Sequence, residues 1–217
     1  TAFTGAGAFA FDRSKILVGD PTASYIYFDQ PAALGIGGQL PSDLDGPPPP
    51  TGAGNIFAMF TADEFGDPGG DGLRLWEFKP NFATPASSTF TELTSAAVPI
   101  PVAAFSPLSP PNTRADVPQP GTTARLDTIS NRLMHRLQYR NFGAYETLAV
   151  NHTVNVGPDT TLANFRAGVR YYELRRTGGV ANPWTIREQA THAPADNVHR
   201  WMGSTAFTTS RIVISAA

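Results

Sequence analysis

An all-β fold is predicted for this 217-residue chain by three features of its sequence. Glycine and proline number 20 each while charged residues make up only 16%, a mixture that turn-rich sheet tolerates and helix does not. Runs rich in β-branched and aromatic residues recur, such as Asn55-Ile-Phe-Ala-Met-Phe-Thr61 and Glu146-Thr-Leu-Ala-Val-Asn-His-Thr-Val154. Three segments also repeat one pattern: Gly7-Ala-Phe-Ala-Phe-Asp-Arg13, Gly72-Leu-Arg-Leu-Trp-Glu-Phe78 and Gly168-Val-Arg-Tyr-Tyr-Glu-Leu174. Each has Gly first, an aromatic fifth (Phe11, Trp76, Tyr172) and an acid sixth (Asp12, Glu77, Glu173).

Each copy reads as a strand, a Pro-containing turn and a second strand, because Pro21, Pro85 and Pro183 stand just before a second aromatic, Tyr25, Phe90 or Trp184. Residues 1–30 then predict the end of a four-stranded unit, and residues 31–94 a complete one. Within the latter, Pro41-Ser-Asp-Leu-Asp-Gly-Pro-Pro-Pro-Pro50 predicts an extended, solvated connector. Residues 95–126 carry seven prolines and few large apolar side chains, which predicts an irregular surface excursion. Residues 127–193 predict a second complete unit that opens with a strand over Arg132–Phe142. Alternation there puts Leu133, His135, Leu137 and Tyr139 on one face and Arg132, Met134, Arg136, Gln138 and Arg140 on the other. A helix is the rival, since Ile129, Leu133 and Leu137 are four apart, but it would stack Arg132, Arg136 and Arg140 on one ridge. Residues 194–217 predict the start of a further unit, with strands in Arg200–Phe207 and Arg211–Ser215.

Four strands per unit is the pattern of β-propeller blades, so the predicted architecture is a single-domain, partial β-propeller of about three four-stranded blades with Pro-rich insertions. Closed propellers take about four to eight blades. The expected partners are therefore the rest of a longer polypeptide, or neighbouring chains that complete the ring. The opening Thr1-Ala-Phe-Thr4, without Met or signal-like regions, agrees with a processed or truncated chain.

Several of these segments resemble a family. Gly5-Ala-Gly-Ala-Phe-Ala-Phe-Asp-Arg13, Leu40-Pro-Ser-Asp-Leu-Asp-Gly46, Leu73-Arg-Leu-Trp-Glu-Phe78, Pro118-Gln-Pro-Gly-Thr122, Arg136-Leu-Gln-Tyr-Arg-Asn-Phe-Gly143, Val150-Asn-His-Thr-Val154 and Arg200-Trp-Met-Gly-Ser204 are similar to a large group of secreted bacterial proteins. Their central region is a sialidase-like β-propeller of largely unassigned function, often beside immunoglobulin-like modules. The resemblance implies an extracellular or cell-surface location and a propeller architecture. Ala104–Thr113 lacks the cysteines the family often carries there, and Thr208-Thr-Ser-Arg211 replaces its acidic, Gly-containing turn. The function expected is that of a non-catalytic binding or structural module, within a larger extracellular assembly. The alternative is a carbohydrate-active enzyme of sialidase-like type.

Composition narrows the chemistry. A net charge of −2 and a pI of about 6.0 supply no basic field for nucleic acid. No apolar run approaches the length of a membrane span, and the absence of Cys excludes disulfides and thiol catalysis. No Gly-x-Ser-x-Gly elbow appears, Gly35-Ile-Gly-Gly38 does not lead into a helix as a phosphate loop would, and the Ser-x-Asp-x-Gly-x-Thr-Trp box of sialidases is missing. The acids Asp12, Glu77 and Glu173, recurring once per unit, read as a structural device, since glycosidases need one differentiated pair.

No cofactor is expected beyond Ca²⁺, for which Asp43 and Asp45 are the candidate ligands. Asp67 and Asp71 could supply carboxylates likewise, but neither loop has the full ligand spacing of a calcium loop, and ordinary Asx turns explain both pairs at least as well. His135 and His152 fall on adjacent predicted strands and read as a hydrogen-bonded structural pair, and Asn151-His-Thr153 is a glycosylation sequon on a strand. Arg beside aromatics suits carboxylate or sugar recognition. The candidate binding residues are Arg136, Tyr139, Arg140, Asn141 and His152, joined by Arg200 and Trp201 one unit later, with carbohydrate as the ligand class. Salt bridges to acids of neighbouring units are the structural alternative for these arginines.

Overall fold

A computed structural model describes residues 2–110, 115–208 and 212–215, the last four by backbone alone. The protein is all-β, with 43% strand and 6% helix, and its main sheet curls into a half-barrel. The chain opens with an antiparallel hairpin of β1 (Gly5–Phe11) and β2 (Tyr25–Pro31). A one-turn helix, α1 (Arg13–Ile16), links them, and the Asp12 carboxylate caps it by accepting from the Lys15 N–H. A meander follows of β3 (Leu40–Leu44), β4 (Asn55–Thr61), β5 (Gly72–Lys79) and β6 (Thr89–Glu92), each antiparallel to the next. Short pieces β7 (Ile100–Pro101), β8 (Val117–Pro118) and β9 (Arg125–Leu126) punctuate the Pro-rich stretch. The second meander is β10 (Met134–Asn141), β11 (Tyr145–Asn155), β12 (Ala167–Thr177) and β13 (Thr185–His192). A last hairpin pairs β14 (Ser204–Phe207) with β15 (Ile212–Ser215).

The two meanders meet where β3 and β10 pair in parallel, with Leu137 opposite Ser42 and Tyr139 opposite Leu44. That contact makes one nine-stranded sheet and folds it over on itself. The concave side is the main core. It brings Ile56, Ala58 and Phe60 of β4 and Leu73 and Leu75 of β5 together with Leu137, Tyr139, Leu148, Val150, Tyr172, Leu174 and Trp184. The opposite face of β4 and β5 carries Phe57, Met59, Trp76 and Phe78, which pack on Ala8 and Ile26 of the β1–β2 hairpin. Side-chain alternation in β4 and β5 feeds both cores at once, and each large apolar side chain so buried contributes roughly 2 to 3 kcal/mol.

The expected strands over 55–61, 72–78, 146–154 and 168–174 all form, as does a strand rather than a helix at 134–141. Its faces depart from strict alternation. The register with β11 slips between Met134 and Gln138, which buries Leu133 and Met134 together and turns His135 to solvent. The connector expected over 41–50 is in part a strand, because β3 supplies hydrogen bonds to both β4 and β10. The Pro-rich excursion is irregular, but it does more than lie on the surface. Ile100, Val102 and Phe105 close the main core, and Asn155 N–H donates to Ser106 O at 2.8 Å. Residues 111–114 of that excursion and 209–211 of the last predicted turn lie outside the described residues.

The shared spacing of the repeat predicts that Phe11, Trp76 and Tyr172 occupy equivalent strand positions and are mostly buried between neighbouring sheets. Trp76 and Tyr172 are, at 3% and 0% exposure, whereas Phe11 is 59% exposed. All three lie on the strand that opens the later half of its unit, and nothing among the described residues covers the Phe11 face. The glycine that begins a repeat answers to crowding: a Cβ at Gly72 would lie 2.6 Å from Pro99, and one at Gly168 2.9 Å from Val156 Cγ1.

Candidate functional site

The candidate residues do not converge on one place. Arg136, Gln138 and Arg140 come from β10 and Asp43 and Asp45 from β3 and the turn after it, so the parallel contact sets these side chains against one another. Arg136 donates to Asp43 Oδ2 at 2.6 Å and, through its other amino group, to Asp45, which also accepts from the Gln138 amide. The guanidinium hydrogen bond holds the Asp45 carboxyl below the usual carboxylate range. Hydrogen bonding to Asp43 in turn raises Arg136. The two acids proposed as Ca²⁺ ligands are thus brought together, but around a guanidinium. Among the described residues no group of three or more His, Cys, Asp or Glu could hold a metal ion. A third carboxylate is missing, whereas Ca²⁺ takes six to eight oxygens.

Arg140 behaves differently. It lies over the Phe142 ring at 5.3 Å and its Nε has no hydrogen-bond partner; it makes no salt bridge among the described residues, although its charge is near enough to Asp45 to help lower that carboxyl. Asn141, next to it, is committed to the backbone: its amide donates to Pro48 O at 2.7 Å and its carbonyl accepts from Gly143 N–H at 2.8 Å.

Tyr139 is not available for stacking on a ligand. It is 4% exposed and donates to Glu146 Oε1 at 2.7 Å, and burial pushes its phenol well above the ordinary value. Glu146 is the centre of a polar cluster that the sequence reading missed. Arg176 reaches it twice, at 2.8 and 2.7 Å, with the two side chains only 2% and 3% exposed, and the guanidinium lies 4.8 Å from the Trp184 ring. Two charges on apolar strand runs were the available signal, because a buried charge must find a partner. An apolar groove of about 610 Å³ opens beside this pair, between Leu75, Leu93, Val98, Ile100 and Trp184.

His152 and His135 do not form a pair. His135 is exposed on β10, while His152 is fully buried on β11. The His152 ring stacks on Phe60 at 4.6 Å, and its Nε2 lies 3.0 Å from the Tyr172 hydroxyl. Burial first, and the nearby Arg170 charge second, hold its pKa down to about 3, so the ring is neutral at pH 7. A dry imidazole of this kind is a packing group. Asn151 of the sequon is also fully buried, out of reach of a glycosylating enzyme.

Arg200 and Trp201 lie far from Arg140. Arg200 N–H donates to Ala167 O, opposite Asn155 at one end of β11, whereas Arg140 stands opposite Thr147 near the other. At about 3.4 Å per residue the two places are roughly 25 Å apart. Arg200 is paired with Asp196 at 2.6 Å on the surface, and Trp201 is half-buried. The recurring acids are likewise engaged: Glu77 accepts from Gly54 N–H at 2.9 Å and pairs with Lys79, and Glu173 pairs with Arg175 at 2.5 Å. Asp67 and Asp71 accept backbone N–H groups of Ala62, Asp63 and Phe105.

Compared with protein-family models, with curated proteins and with solved structures, the chain finds no match. No helix among the described residues is long and apolar enough to cross a membrane.

Proposed function

We propose that the chain is a non-catalytic structural and binding module, a run of β-propeller blades working within a larger extracellular assembly. The observation that carries the non-catalytic reading is the state of the acids at the β3–β10 junction. Asp43 and Asp45 are the one pair of carboxylates the fold gathers from the predicted site, and Arg136 and Gln138 occupy both. A glycosidase needs two carboxyl groups of different environment facing an open cleft about 5 to 10 Å apart. The propeller reading is supported by two four-stranded meanders that pack across a shared core with their first strands parallel and in contact. The secreted location rests on the motif resemblance alone.

Incubating the chain with a panel of fluorogenic glycosides that includes sialosides tests this reading. No turnover above buffer is the expected result, and turnover that disappears in Asp45→Asn would overturn it. A second reading is favoured by Arg140, which among the described residues makes no salt bridge and leaves its Nε without a hydrogen-bond partner. Its guanidinium beside Phe142 suits a carboxylate-bearing sugar. Binding to acidic glycans that is lost in Arg140→Ala and kept in Asn141→Ala is the expected signature, and equal binding by both variants removes the site.

A further inference from the structure

The loop from β11 to β12 and the segment leading into β14 enclose a polar cavity of about 560 Å³, with Arg166 and His199 on its wall. It lies at the end of β11 away from Arg140. Both sides of it are tied down. In the loop, the Asn155 side chain accepts from Gly157 N–H at 2.8 Å and donates to Asp159 O at 2.9 Å. The Asp159 carboxylate accepts from the Thr161 N–H and hydroxyl and from the Asn164 amide. A Cβ at Gly157 would lie 2.0 Å from Asn164 O, so glycine lets the loop close back on itself. Across the cavity, Asp196 pairs with Arg200, Asn197 takes a left-handed turn at φ 58°, and Arg200 N–H donates to Ala167 O at 2.9 Å. A cavity between two tied segments is largely formed before anything enters it.

Its donors are not spent. Arg166 is half-buried, makes no salt bridge among the described residues, and meets Asn197 Oδ1 at 3.5 Å, the outer limit of a hydrogen bond. His199 Nδ1 accepts from Ala167 N–H at 3.2 Å, which puts the proton of the neutral ring on Nε2. That Nε2–H has no partner among the described residues. Burial first, then the charges of Arg125 and Arg166, hold the His199 pKa below its ordinary value, and the Asp116 charge opposes them. Arg125 donates to the Asp116 backbone carbonyl, while the buried Asp116 carboxylate accepts from the Thr128 N–H and hydroxyl. Two guanidiniums against one carboxylate leave one positive charge in excess, which a single anionic group balances. The Asn197 amide nitrogen and Asn164 Oδ1 remain as a donor and an acceptor on the wall, a pair that hydroxyl groups match.

We propose that this cavity binds a small polyhydroxy carboxylate, whose carboxylate accepts from the Arg166 fork and from the His199 Nε2–H. Binding there depends on neither a closed ring of blades nor Arg140. An anion so placed offsets the arginine charges, so binding and protonation of His199 favour each other.

The test is an NMR titration of the histidines in the whole chain, with His199 assigned by its loss in His199→Gln. D-gluconate is the probe, glucitol its neutral counterpart and inorganic phosphate the dianion for comparison. Gluconate at tens of millimolar should raise the His199 pKa by about 1, and glucitol should not move it. Affinity for gluconate should rise several-fold from pH 7.5 to pH 5.5. Arg166→Gln should weaken it about tenfold or more, whereas Arg187→Gln, which removes an exposed arginine of β13, should leave it unchanged. If Arg166→Gln loses the parent's far-UV spectrum, Arg166→Lys replaces it, keeping the charge without the fork, and weaker binding is again expected. A His199 pKa that gluconate leaves unmoved overturns the proposal, as does a shift that glucitol reproduces or that persists undiminished in the Arg166 variant. Phosphate acting at lower concentration than gluconate overturns the assignment to a carboxylate.

Discussion

Trp76 and Tyr172 hold equivalent positions in two successive meanders. Each lies on the third strand of its meander and faces the sheet that precedes it in the chain, Trp76 against Ala8 and Ile26 and Tyr172 against the side chains of β4 and β5. Their cross-strand neighbours on the second strand, Phe57 and Val150, share those faces. Phe11 holds the corresponding place on β1 and is 59% exposed, with no sheet packed on that face among the described residues.

Truncation should therefore separate Trp76 from Phe11. Trp76→Ala is expected to cost about 3 to 5 kcal/mol, the usual loss for a large aromatic removed from a core. Phe11→Ala in dilute solution should stay within about 0.5 kcal/mol of the parent, as surface changes do. Urea unfolding monitored by circular dichroism reads both. Equal losses at the two positions would refute their different burial.

Removing one member of the Glu146–Arg176 pair leaves a charge buried without its partner. Glu146→Leu should destabilise the protein by about 3 to 5 kcal/mol. The double variant Glu146→Leu with Arg176→Met should recover a large part of that loss, since no uncompensated charge then remains. The comparison is made by denaturant melts of the parent, both single variants and the double.

His152 makes the fold acid-sensitive. Its folded pKa, about 3, lies below the ordinary 6.5, so between those values the unfolded chain binds a proton that the folded chain does not. Stability is complete above pH 6.5 and falls as the pH drops toward 3. The loss between pH 7 and pH 4 is about 3 kcal/mol at 1.36 kcal/mol per unit. His152→Phe should flatten the melting-temperature profile over that range. A profile as steep as the parent's would assign the acid sensitivity elsewhere.

Arg136 plays the part a cation would play between Asp43 and Asp45. The melting temperature is expected to be the same in millimolar Ca²⁺ and in chelator, and a clear rise with Ca²⁺ would support a metal between the two acids instead. Carboxyl titration by NMR should place Asp45 below 3.8 in the parent and move it upward in Arg136→Ala. Such a partly exposed pair adds only about 1 kcal/mol to stability.

Short-range pattern made the strands legible. Alternation, β-branched runs and Gly or Pro turns act within a few residues, so β1, β4, β5, β10, β11, β12 and the last hairpin could be placed from the sequence. The repeat of Gly, aromatic and acid also foretold that Trp76 and Tyr172 would sit alike. Partnership was not legible, because it is decided across the fold. Arg136 and Asp43 are 93 residues apart and Glu146 and Arg176 are 30 apart, and only the parallel β3–β10 contact and the β11–β12 register bring them together. Tyr139 and His152 passed for site residues because a polar aromatic on a strand looks the same whether its face is covered or open. Which face is covered depends on the neighbouring sheet, and in this chain that neighbour lies up to a hundred residues away.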